Sequence, residues 1–72
     1  MDAEEQKKVI KEIEEKIQAT CTESKYTHLC QRITTDAGMA WAVNRCVKMM
    51  ADDKIHLSAA LAYLESELEG VS

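Results

Sequence analysis

Few side chains in this chain have the capacity for chemistry: three cysteines (Cys21, Cys30, Cys46), two histidines (His28, His56) and thirteen carboxylates. A cysteine beside a histidine can supply a thiolate for nucleophilic or redox work, and Cys/His sets at the right spacing hold zinc. Cys21, His28 and Cys30 come nearest to such a group. On a helix, however, positions i and i+2 face different sides, so His28 and Cys30 do not converge. No C-x-x-C or H-x₃₋₅-H spacing joins Cys21, His28, Cys30, Cys46 and His56 into a metal site. An odd cysteine count without a framework spacing fits free thiols in a reducing compartment, hence a cytoplasmic protein. The expectation is therefore no catalytic residue, no metal and no cofactor. Glu12, Glu14, Glu15, Glu65, Glu67 and Glu69 read as solvated helix faces.

The cations show more pattern. Lys25, His28 and Arg32 stand at i, i+3 and i+7, one side of a helix, and Arg45 with Lys48 extends the basic surface further along the chain. Such a surface suits an anion or an acidic partner protein. Trp41 lies four residues before Arg45, a spacing that lets the guanidinium cover the indole, and tryptophan is enriched at binding hot spots. These six residues are the candidate partner- or anion-binding set. Direct nucleic-acid binding is not expected, because the pI is about 5.0 and the only aromatics are Tyr26, Trp41 and Tyr63. Glycine occurs only at 38 and 70, so no phosphate-cradling loop is present.

The elements that must position these groups are helical. Proline is absent, and apolar residues recur at steps of three and four. Asp2 followed by Glu5 has the form of a capping box, which starts a first helix at about residue 3. Its buried stripe is Ile10, Ile13 and Ile17, and it ends near Thr20. A second helix begins near Lys25, capped by Ser24 or Thr27. Thr34-Thr35-Asp36-Ala37-Gly38 is a poor helix interior and predicts a break. Beyond it, Met39–Ala51 is polar only at Asn44, Arg45 and Lys48, so this segment is central. A last helix runs to Glu69 with Gly70 as a left-handed C′ residue, and Leu57, Leu61, Leu64, Leu68 and Val71 form its apolar seam. The fold class is all-α: one domain over residues 1–72, a small three-helix bundle that becomes four short helices if the central one breaks near Thr34–Gly38.

The net charge of −4 is unevenly spread: residues 1–24 carry −3, residues 25–51 carry +3 and residues 52–72 carry −4. With 72 residues, a core yields little net stability, which argues for assembly. A homodimer through Ile10, Ile13 and Ile17 or through Leu57, Leu61, Leu64 and Leu68 is the expected form. No stretch approaches the roughly 18 apolar residues of a spanning helix, so no membrane partner is expected. The function expected is non-catalytic: a stoichiometric adaptor, assembly factor, regulator or inhibitor of another protein, a nucleic-acid-handling enzyme being one target that acidic helices suit. The alternative is a small-ligand, anion or metal binder using His28, Arg32 and the thiols.

Overall fold

The computed structural model describes residues 2–23 and 25–70. Four helices follow one another: α1 (Ala3–Thr22), α2 (Thr27–Arg32), α3 (Asp36–Asp52) and α4 (Leu57–Glu69), with no strand among the described residues. The all-α reading holds, and the break near Thr34–Gly38 is real. α3 packs against each of the other three helices, the position its nearly all-apolar composition requires.

Three boundaries have a local cause. Asp2 Oδ1 accepts the Glu5 amide at 2.8 Å and opens α1. Thr35 Oγ1 accepts the Gly38 amide at 3.0 Å and opens α3. Gly38 is buried at the close approach of α2 and α3, where a β-carbon would overlap the carbonyl of Arg32. The glycine thus serves contact between helices and needs no special φ. α3 ends differently: Lys54 turns the chain at φ 55°, and the amides of Asp53 and Ile55 return to the Met49 carbonyl at 3.1 and 3.3 Å. The left-handed residue expected at Gly70 is therefore found one helix earlier, on a lysine. Gly70 itself has φ −74°, an ordinary helical value. Ser24 and Val71, read as a cap and as a seam residue, lie outside the described residues.

One core takes residues from all four helices: Ile13 and Ile17 of α1, Leu29 of α2, Ala42, Val43, Cys46 and Met49 of α3, and Ala60, Leu61 and Leu64 of α4. This corrects the dimer faces expected from the sequence. Ile13, Ile17, Leu61 and Leu64 are at most 1% exposed, so they are spent inside their own chain and are closed to a second copy. Ile10, Leu57 and Leu68 are half-buried at the margin of the same core. The two apolar stripes face each other's neighbours because a four-helix body of this size needs both to enclose α3.

The thiols are corrected as well. Cys21 at the end of α1 is bonded to Cys30 of α2, with Cα atoms 5.5 Å apart. Only Cys46 is free, and burial pushes its thiol up to about 11. A crosslink spanning nine positions removes loop entropy from the unfolded chain worth about 2–3 kcal/mol. For so small a core that is a large share of net stability.

Three predictions follow from these contacts. Gly38→Ala forces α2 and α3 apart and lowers unfolding stability by about 1–3 kcal/mol in urea melts, whereas Gly70→Ala, whose β-carbon meets nothing closer than 3.6 Å, changes it by less than about 0.5 kcal/mol. Equal effects would contradict the close-approach role. Thiol titration of protein purified without reductant is expected to find no reactive cysteine in the native state, one in denaturant, and three after reduction. Three in denaturant before reduction would contradict the Cys21–Cys30 bond. Because the folded state holds the Cys46 thiol neutral, stability is complete below its unfolded value and falls as pH rises towards about 11.

Candidate interaction surface

α2 has six residues, too few to persist alone, and its N-cap Tyr26 makes no side-chain cap. Its first amides go instead to α4: Glu65 accepts the His28 N–H through Oε1 at 3.1 Å and the Leu29 N–H through Oε2 at 2.8 Å. Both bonds are part-buried and join residues 36 and 37 positions apart. A carboxylate serves here because it offers two oxygens to two donors and carries the charge a helix start favours. Glu65 is thus a fold residue and leaves the group of solvated carboxylates. It also sets the rotation of α4. With Leu61, Leu64 and Glu65 turned inward, Ser58, Ala62, Tyr63 and Ser66 face solvent.

The six candidate binding residues do not make one patch. Lys25 precedes α2, so helical spacing from it to His28 does not apply, and it sits 3.9 Å from Glu23 with 72% of its side chain exposed. His28 is half-buried. Trp41 is half-buried against the core, and the guanidinium over its ring, 5.0 Å from the centroid, belongs to Arg32. Arg45, expected there, reaches α4 instead, donating from Nη2 to Glu67 Oε2 at 3.0 Å. Its Nε is buried and makes no hydrogen bond within the described residues. Arg45 and Lys48 do share one feature, a groove of about 460 Å³ between α3 and α4, where they meet Met49, Asp52, Ile55 and Tyr63. Of the residues in the ligand alternative, Cys21 and Cys30 are bonded to each other, Cys46 is buried, and the exposed Arg32 lies over Trp41. Among the described residues no three His, Cys, Asp or Glu side chains are placed to hold a metal ion.

Tyr63 was not singled out by sequence reasoning. It is the one large hydrophobic residue exposed among the described residues, at 59%. It forms one wall of the α3–α4 groove and, on its other side, of a hollow of about 400 Å³ lined by Ala59, Ala62 and Ser66. The signal was present in the composition: Ile55–Leu64 contains no Asp, Glu, Lys or Arg, while α1 carries a charge on nearly every outward position. A solvated helix normally takes charges on its outer face, whereas this stretch leaves an aromatic protruding from an uncharged one.

Fold and surface together define a small all-α protein with an aromatic knob between two hollows. No family model, no curated protein and no solved structure matches the chain. No helix among the described residues is long and apolar enough to cross a membrane.

The two carboxylates that reach across from α4 differ in what they hold. Glu65→Gln replaces one acceptor oxygen with a donor, leaves an α2 amide unpaired and costs about 1–2 kcal/mol in chemical denaturation. Glu67→Gln breaks an ion pair whose partners are 40% and 48% exposed, and costs less than about 0.5 kcal/mol. A Glu65 variant as stable as wild type would remove the capping role.

Proposed function

We propose that this protein is a non-catalytic, stoichiometric interaction module whose α3–α4 face binds a protein chain. The observation that carries this reading is Tyr63, an aromatic standing in solvent between the Arg45–Lys48 groove and the Ala59–Ala62 hollow. Tyrosine and arginine are the residue types that dominate interface energy, and concave ground beside them gives a partner side chain somewhere to go. The polar rim of Lys48, Asp52, Asp53 and Glu67 around Met49 and Ile55 has the layout of an interface in miniature: apolar centre, charged edge. The roles of adaptor, assembly factor, regulator and inhibitor all use such a face in the same way, by occupying a surface and turning nothing over.

The Arg32–Trp41 pair is a second exposed feature, but the indole already packs on the core and the guanidinium on the indole, so its aromatic area is largely satisfied within the chain. A cytoplasmic location rests on the expectation of three free thiols. With Cys21 and Cys30 bonded, folding in an oxidising compartment is the better fit to the cysteine chemistry.

A photo-crosslinking amino acid at position 63, compared with one at the exposed α1 residue Gln18, tests the reading in cells that express the chain. Discrete protein adducts at 63 and none at 18 are expected. Equal labelling at the two positions, or none at 63, would overturn the assignment.

A further inference from the structure

The α3–α4 face carries the features of its own complement. A two-fold interface requires that each feature on the patch find its counterpart on the same patch, because residue i of one copy meets residue j of the other and j meets i. Tyr63 is a knob, and the small side chains of Ala59, Ala62 and Ser66 beside it leave a shallow, open depression on the same helix. The charges divide in the same way. Along the groove, Lys48 is followed one turn later by Asp52 and Asp53, all three exposed, and none is within ion-pair distance of an opposite charge among the described residues. The Arg45–Glu67 pair is neutral in sum and fixes the rim between them.

We propose that the occupant of this face is a second copy of the chain, docked about a two-fold axis. This rests on the reading of the face as an interaction surface and names its partner. Tyr63 of each copy enters the alanine-lined hollow of the other, and Lys48 of each meets Asp52 and Asp53 of the other. A foreign partner would need a matching hole, a matching knob and inverted charges; a second copy supplies all three without further assumption. A standard interface takes about 800 Å² from each partner, roughly a sixth of the 5131 Å² this chain exposes. The contact leaves the buried Ile and Leu stripes untouched, so it does not require the fold to open.

Charge reversal with complementation tests it. Sedimentation equilibrium from low micromolar to several hundred micromolar is run on the wild type, Tyr63→Ser, Lys48→Glu and the double change Asp52→Lys with Asp53→Lys, with circular dichroism confirming that each is folded. The wild type is expected to dimerise with concentration, and each variant to associate at least about tenfold more weakly. An equimolar mixture of the Lys48→Glu and Asp52→Lys/Asp53→Lys chains should recover association, because the reversed charges then face each other correctly. A wild type that stays monomeric, a dimer indifferent to these changes, or a mixture no better than its components would each overturn the proposal. If the wild type is monomeric while a crosslinker at 63 still captures a different protein, the second copy is wrong and the interaction surface stands. If nothing is captured, both fall.

Discussion

The carboxylate of Glu65, seated on the amides of His28 and Leu29, is the contact on which the arrangement of this protein depends. A six-residue helix forms only if its neighbours hold it, and α2 is held from two directions: at Cys30 by the disulfide to α1, and at its first turn by α4. Leu29 then lies fully buried beneath the other helices. The break that follows is closed by Thr35 and by the hydrogen of Gly38, which lets α3 begin almost in contact with the end of α2. A short, otherwise unstable segment thereby becomes the fixed corner that orders the longer helices.

The same contact decides what the surface can do. An α4 rotated to present Glu65 to α2 and Leu61 and Leu64 to the core has no choice about its opposite face: Ala62, Tyr63 and Ser66 must stand outside. An uncharged outward face is an expense for a solitary small protein and useful for one that binds. Fold and proposed function are thus two sides of a single helix, one polar anchor inward and one aromatic outward.

Much of this was legible in the residue pattern, and where it was not the reasons are physical. Periodicity revealed the helices and the Ile and Leu stripes, because burial at steps of three and four is a local property. The Thr34–Gly38 break was readable for the same reason: stiff and capping residues act within a turn. The partners of those stripes were not readable. A half-buried heptad looks alike whether it meets its own chain or another, and here Ile13, Ile17, Leu61 and Leu64 close the monomer. Long-range pairings were equally hidden. Nothing near Glu65 distinguishes it from Glu67 and Glu69, and only the approach of α2 does so. The Cys21–Cys30 bond needs the turn between α1 and α2 to bring the two Cα atoms to 5.5 Å. Arg32, not Arg45, covers Trp41 because the chain folds back between them, and i,i+4 spacing carries no knowledge of that. The Tyr63 face could have been found by asking which outward positions lack charge, a question about absence that a search for chemical groups passes over.

Residue-resolved hydrogen exchange of the oxidised protein measures the dependence on Glu65 most directly. If α4 holds α2, the Leu29 amide, though near the start of a six-residue helix, exchanges only on global unfolding, as slowly as those of Leu61 and Leu64. Exchange of the His28 and Leu29 amides through a separate low-energy opening, with α3 and α4 still protected, would contradict it.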